Sequence, residues 1–208
     1  MRKSKNQPGR PRSEHSRAAI LEAAYSFLLE QSVAEISTVH IARQAGVSTA
    51  TVYRWWSTKE ELLLDAFLER AAKEVILGGE GSPLDRIRQW VQQMARFFRS
   101  QNGVAFPRIM SAVQDNPTLR EALLNWMSPR SEEITGIVMD AVREGQLPER
   151  VNPIEFADML IGPLFVRLFV HRGPVTEAFA LSVFDQVVAG VHAIVPARKT
   201  KKAGSHSA

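Results

Sequence analysis

The stretch from Ser37 to Lys59, STVHIARQAGVSTATVYRWWSTK, constrains the fold most, because it predicts two short helices joined by a tight turn. Gly46 stands where the chain must leave the first of these helices, in a left-handed conformation that glycine adopts without strain. Ser48 follows as a candidate N-cap of the second helix. Small or apolar side chains recur where the two helices would cross, at Ile41, Ala42, Ala45, Val47 and Val52. The pattern is typical of a helix-turn-helix, which presents its second helix to the major groove of DNA.

Composition excludes several classes of protein. The chain has 208 residues and 45% hydrophobic residues, enough for one medium domain, or a small domain fused to a larger one, with a buried core. It has no cysteine, which excludes disulfides, thiolate metal sites and cysteine nucleophiles. No apolar run approaches the ~20 residues that cross a bilayer, and the basic N-terminus leads into no apolar signal segment. We therefore expect a cytoplasmic protein with no membrane partner.

Positive charge is concentrated near the two ends of the chain, although the net charge is only +4. Residues 1–17 contain six basic residues and one acidic residue, and residues 198–202 contain four basic residues, so the stretch between them is acidic. Composition predicts a disordered basic arm over residues 1–12 and a disordered basic tail over residues 196–208. Such segments contact phosphate without base specificity, or act only as solvated tails.

Helical periodicity continues along the whole chain, and no segment shows sustained β alternation. A capping box at Thr58 and Glu61 opens the fourth helix, and each of three later helices begins with a capping residue before a proline. We expect Pro129 to kink or split the seventh helix, and Gly162 and Pro163 to distort the eighth. The predicted fold is all-α, with helices over residues 13–31, 38–45, 49–55, 58–77, 82–100, 104–114, 117–144, 153–170 and 176–195.

The segment TVHIARQAGVSTATVYRWWSTKEELLLDAF resembles the DNA-binding domain of TetR-family transcriptional regulators. That family shows an IA-x-x-AGVS-x-x-T-x-Y run, an aromatic residue three positions on, and then K-E-x-L. The matching positions are Ile41, Ala42, Ala45, Gly46, Val47, Ser48, Thr51, Tyr53, Trp56, Lys59, Glu60 and Leu62. The resemblance implies a three-helix DNA-binding domain at 13–59 and an effector-binding and dimerisation domain at 60–195, which includes the connecting fourth helix.

The resemblance also implies roles for residues of the helix-turn-helix. Phosphate contacts are expected from hydroxyl and ammonium donors, namely Thr38, Thr51, Tyr53 and Lys59. Base-facing positions are Thr49, Ala50 and Arg54, although Arg54 can either bind a guanine or only hold a phosphate. The indole of Trp55 is a further phosphate donor. Ser48 completes the DNA-binding set, and Trp56 is expected to pack inside the domain.

The region from the fifth to the seventh helix is rich in large flexible or aromatic side chains. In the TetR family a ligand pocket lies inside this bundle, so we expect the set to bind a largely apolar effector. For any single one of these residues, a place in the core is the better interpretation, because helical spacing alone demands apolar positions. Candidate polar partners are Arg108, Gln93, Asn125 and Asp140. The predicted ligand-binding residues are Trp90, Met94, Phe97, Phe98, Phe106, Met110, Trp126 and Met127.

The last two helices carry more apolar surface than a monomer can easily bury, and the family uses these helices to form a four-helix dimer interface. The predicted interface residues are Leu164, Phe165, Leu168, Phe184, Val187, Val188 and Val191.

No catalytic or metal-binding constellation accompanies these features: the five histidines are scattered without ligand spacing, and no cofactor is expected. The sequence therefore predicts a homodimeric repressor that binds a palindromic DNA operator and is released by a small ligand. Two alternatives remain open at this stage. One is an activator or architectural DNA-binder with the same domain, and the other is a helical enzyme or small-molecule carrier.

Overall fold

The computed structural model describes residues 10–74 and 79–193, with side chains from residue 14 onward. Every regular element in these ranges is helical, which confirms the all-α prediction. The elements are α1 (Arg10–Glu30), α2 (Thr38–Gln44), α3 (Thr49–Tyr53), α4 (Lys59–Glu74), α5 (Pro83–Arg99), α6 (Gln101–Gln114), α7 (Pro117–Arg143), α8 (Pro153–Phe165) with a π-helical turn (Val166–Val170), and α9 (Glu177–Ala193).

The first three helices and the start of α4 share one core. Buried side chains from α1, α2, α3 and α4 fill it, among them Ile20, Leu28, Ile41, Val52 and Leu62. The first helix begins at Arg10, earlier than predicted, so residues 10–12 are helical rather than part of a disordered arm. The rest of the predicted arm, residues 1–9, and the predicted tail at 196–208 lie outside the described residues.

Helix α4 connects this small domain to the larger helical bundle. The predicted capping box is present, because the backbone N–H of Glu61 donates to the Thr58 hydroxyl (3.1 Å) while the Glu61 carboxylate accepts from the Thr58 N–H (3.2 Å). Leu63 and Phe67 are buried along the helix, so α4 packs into both parts of the molecule. Its predicted end at Leu77 lies outside the described residues.

Helices α5 and α6 meet at a tight joint centred on Ser100. This residue ends α5, and its hydroxyl caps α6 by accepting from the N–H of Asn102 (3.1 Å), so α6 begins earlier than the predicted residue 104. A Cβ added to Gly103 would lie 1.8 Å from the carbonyl oxygen of Phe98. Glycine is therefore required for this close approach of the two backbones.

The sequence predicted disruption at prolines in two helices; α7 is not split, and α8 is distorted after its proline. Helix α7 runs unbroken through Pro129, because one missing N–H donor is tolerated between turns held in the core by Leu123 and Ile134. In α8 the predicted distortion occurs, but it lies one turn after Pro163, as the π-helical turn in which the N–H of His171 donates to the Val166 carbonyl (3.1 Å).

Candidate DNA-binding surface and effector cavity

The turn between α2 and α3 has the predicted local chemistry. Gly46 has a φ of +67°, and the Ser48 hydroxyl accepts from the backbone N–H of Thr51, which confirms both residues in their structural roles. The Thr51 hydroxyl lies 3.0 Å from that of Ser48, so the two side chains hold each other at the start of α3. These bonds cap the first turn of α3.

Four side chains predicted to contact DNA stand out from the protein surface around α3. Ala50, Tyr53, Arg54 and Trp55 are exposed, with Tyr53 at 55%, whereas Thr49 and Thr51 are half-buried. An exposed aromatic hydroxyl at the end of α3, with a guanidinium and an indole in the two residues that follow, can donate to phosphate oxygens or base edges.

Two predicted phosphate contacts have different surroundings. Thr38 is only 8% exposed at the start of α2, which leaves its side chain little surface for a phosphate. The Lys59 ammonium donates to the backbone carbonyl of Ala34 (3.3 Å) and lies 3.9 Å from the Glu60 carboxylate. Lys59 therefore ties α4 to the loop between α1 and α2.

A polar network that the sequence does not reveal supports α3 from behind. Trp56 is buried, as expected, and its indole N–H donates to the Asp65 carboxylate (3.0 Å). The same carboxylate pairs with Arg17 of α1 (2.7 Å). Asp65, on α4, thus connects Arg17 of α1 with Trp56, which lies three residues after the end of α3. No periodic pattern links these three positions, so sequence reasoning had no signal for them.

The joint between α1 and α6 contains a buried polar pair. The Tyr25 hydroxyl donates to the Asn102 side-chain oxygen (2.8 Å), and Asn102 is 0% exposed. Burial, with a smaller contribution from the negative charge of Glu74, raises the pKa of Tyr25 to about 12. Nearby, the Arg108 guanidinium donates to the Leu28 carbonyl (2.5 Å). These contacts join the helix-turn-helix domain to the bundle.

A cavity of about 440 Å³ lies within the bundle, bounded by α5, α6, α7 and α8, with one residue from α4. Its volume falls in the range of small-molecule sites. Of the predicted ligand-binding set, the structure places Trp90, Met94, Phe97, Phe98, Phe106, Trp126 and Met127 on its wall. Met110 is not on the wall and packs against the core instead, although it lies one turn after Phe106. Helical spacing places the two residues on one face of α6 but does not show how far along that face the cavity extends.

An aromatic cluster forms part of the cavity wall and continues to Phe169, which is not on the wall. The Phe106 ring lies 5.7 Å from that of Phe67 on α4, 5.8 Å from that of Phe165 on α8 and 5.6 Å from that of Phe169 in the π-helical turn. These centroid separations are those of favourable aromatic pairs. The cluster therefore connects the cavity with α4 on one side and with α8 on the other.

Polar groups lie along one side of the cavity, contributed by α7 and α8. None of the four predicted polar partners is on the wall: Arg108 contacts α1, Gln93 donates to the Glu74 carbonyl (3.5 Å), and Asp140 pairs with Arg143. The predicted partner Asn125 is exposed on α7. The polar lining residues are Ser128, Arg130, Ser131, Glu132, Thr135 and Asp158.

The predicted dimer interface needs correction at several positions. Leu164, Phe184 and Val191 are 0%, 4% and 7% exposed, so they pack inside the protomer. Phe165 lines the cavity. Leu168, Val187 and Val188 are half-buried and keep some outward surface. Sequence periodicity could not separate the inner from the outer face, because both faces of these helices are apolar. Outward apolar residues that the prediction missed are Met159, Val166 and Val170.

Within residues 10–74 and 79–193, no cluster of ligating side chains could hold a metal ion. No helix in the same ranges is long and apolar enough to cross a membrane.

Comparison with known proteins gives a consistent result over both parts of the chain. The family model "Bacterial regulatory proteins, tetR family" matches residues 20–66, and the model "Tetracyclin repressor-like, C-terminal domain" matches residues 78–187. The uncharacterized HTH-type transcriptional regulator YdeS of Bacillus subtilis (strain 168) is 31% identical over 186 residues, covering 89% of this chain and 94% of that protein.

Two further similarities concern proteins of Bacillus subtilis. The fatty acid metabolism regulator protein of strain 168 is 21% identical over 182 residues, covering 83% of this chain and 94% of that protein. The crystal structure of the transcriptional regulator FadR in complex with stearoyl-CoA superimposes with a TM-score of 0.71 at 18% identity, covering 84% of this chain and 99% of that chain. At this identity the superposition shows a shared fold.

Proposed function

The chain belongs to the TetR family of transcriptional regulators, which are not enzymes, and from this premise we propose that it is a homodimeric repressor. In this proposal, residues 13–59 bind a palindromic operator, and residues 60–195 dimerise and bind a small, largely apolar effector that releases the DNA. The protein would act in the cytoplasm, where its operator lies.

The exposed side chains of α3 support the DNA-binding roles. Tyr53 and Trp55 would donate to phosphates, while Ala50, Arg54 and the half-buried Thr49 would face the bases. Lys59 would contact phosphate with the ammonium hydrogens that its bond to Ala34 leaves free.

Dimerisation is supported by the outward surface of α8, the π-helical turn and α9. Val166 and Val170 are exposed apolar residues on this surface, and Leu168, Val187 and Val188 are partly exposed nearby. Packing this surface on its copy by two-fold symmetry would bury it and would give two copies of α3. Two recognition helices about 34 Å apart reach successive major-groove half-sites of a palindrome.

The observation that best supports control of DNA binding by an effector is the position of Phe67. This residue lies on α4, the helix that begins at Lys59 beside the DNA-binding surface, and its ring belongs to the cavity wall. An occupant that displaces Phe106 or Phe67 would move α4, and with it the spacing of the two recognition helices. In this proposal the dimer has one conformation that fits the operator and one that does not, and the occupant shifts the balance between them only by the difference between its affinities for the two. Changing their ratio from 1:99 to 99:1 needs a difference in binding free energy of about 5.5 kcal/mol. The stearoyl-CoA complex of the Bacillus subtilis neighbour supports an apolar chain as the occupant.

A gel shift on the DNA upstream of the gene that encodes this chain tests DNA binding. We expect retardation at low salt and micromolar protein, and no retardation under these conditions would refute it. Tyr53→Phe should weaken binding to all sequences alike, because a phosphate contact has no base specificity. Arg54→Ala should instead change half-site preference, and an unchanged preference would refute its assignment to the bases.

A further inference from the structure

The cavity wall combines two chemically different sets of side chains. Aromatic rings come from α4, α5, α6 and α8, whereas hydroxyl and charged groups come from α7 between Ser128 and Thr135 and from Asp158 of α8. An occupant that matches both sets must be amphipathic, with its apolar part against the rings and a polar group beside α7.

Arg130 is the cavity-lining cation, and its charge has no anionic partner among the residues that the structure describes. Its guanidinium lies 3.7 Å from the ring centroid of Trp126, and one terminal nitrogen donates to the Trp126 carbonyl (2.8 Å). The Nε atom is buried and has no acceptor in the described part of the chain. The stacking fixes the guanidinium plane, and a fixed, uncompensated guanidinium on a cavity wall favours an anion.

Two carboxylates that also line the cavity oppose this preference only weakly. Glu132 and Asp158 are both exposed, and Glu132 already accepts from the Ser128 hydroxyl (3.1 Å). Solvent screens exposed charges, whereas Arg130 is half-buried and its charge acts through a medium of lower dielectric.

Building on the proposed effector function, we propose that the effector is a single-chain amphipathic acid whose carboxylate pairs with Arg130. Its apolar chain would lie along Trp90, Phe98 and Phe106. A planar guanidinium binds a carboxylate through paired hydrogen bonds, and charge-assisted bonds of this kind are the strong ones.

Three probes with the same chain length and different head groups test the proposal: decanoate, 1-decanol and decyltrimethylammonium. Calorimetric titration of the full chain compares wild type with Arg130→Met. The ionic probes are kept below their micelle concentrations, and decanol is kept below its solubility limit. We expect decanoate to bind wild type most tightly and Arg130→Met to weaken it about 10- to 100-fold. Decanol affinity should change less than about threefold, because only the acid uses the charge. Arg143→Met, which removes an exposed guanidinium from the same helix outside the cavity, should change neither affinity.

Three results would overturn the proposal: no binding of decanoate, tightest binding of the cationic probe, or equal decanoate affinity in wild type and Arg130→Met. Retained helical circular dichroism and operator binding without probe would show that Arg130→Met is folded. Operator binding of wild type, measured separately, tests the proposed function. If decanol releases the operator and decanoate binds Arg130→Met as tightly as wild type, the proposed repressor function is retained and the proposed effector class is wrong.

Discussion

Removing one hydroxyl from the joint between α1 and α6 should destabilise the protein far more than removing a hydroxyl from its DNA-binding surface. Tyr25→Phe keeps the ring, and therefore the contact with the Arg70 guanidinium 5.2 Å from its centroid, and deletes only the donor to Asn102. The Asn102 oxygen is then left without its 2.8 Å partner in a position that is 0% exposed, where water cannot replace it. A buried polar group without a partner costs about 1–3 kcal/mol.

Equilibrium urea denaturation, followed by circular dichroism at one fixed protein concentration, measures this effect. The matched control is Tyr53→Phe, the same substitution at a side chain that is 55% exposed, which should change the free energy of unfolding by less than about 0.5 kcal/mol. Operator affinity should show the opposite order, since Tyr53→Phe removes the proposed phosphate contact and Tyr25→Phe does not. Equal stabilities of the two variants would refute the reasoning about the buried pair.

Three further predictions concern other contacts. In the same assay, Gly103→Ala should lower the free energy of unfolding by about 1–3 kcal/mol, because the new Cβ would lie 1.8 Å from the Phe98 carbonyl oxygen. Gly136 has open space around it in α7, so Gly136→Ala should instead raise the free energy of unfolding by about 0.5–1 kcal/mol. Asp65→Ala should cost about 1–2 kcal/mol, because it leaves the buried Trp56 indole without an acceptor, and Asp65→Asn should recover part of that loss. The pKa of Tyr25 is raised from 10.0 to about 12 in the folded protein, so as pH rises the hydroxyl ionises in the unfolded chain before it ionises in the folded one. The contribution of Tyr25 to the free energy of unfolding is therefore complete below about pH 10 and declines as pH rises towards 12. Absorbance titration of Tyr53→Phe, in which Tyr25 is the remaining tyrosine, checks that pKa, and a midpoint near 10 would contradict it.

Local signals in the sequence were sufficient for the helix-turn-helix and for most helix starts. Gly46, Ser48 and the Thr58 capping box act through bonds to residues three or four positions away, so the sequence contains all their partners. Local signals did not assign the aromatic and methionine residues of α5 to α7 to a cavity. That assignment came from the resemblance to the TetR family, and Met110, one turn from Phe106, is not on the wall.

Contacts between distant segments could not be predicted from the same signals. Leu164 and Phe184 look identical to interface residues in a helical pattern, yet the packing of α8 and α9 against the bundle turns them inward. Likewise Arg130 follows a proline and has the sequence pattern of a surface residue. Only the structure shows that it stacks on Trp126 and lines the cavity, which makes it a candidate ligand contact. Asp65 has partners in α1 and after α3, which the sequence does not bring together.

Selection of bound duplexes from a random DNA pool by the full-length protein tests the central claim most directly. The account predicts enrichment of an inverted repeat, with half-site centres one helical turn of about 10 bp, or a multiple of it, apart, because a two-fold dimer presents two copies of α3. Enrichment of a single half-site, or of no sequence, would contradict a dimeric repressor that reads DNA through this surface.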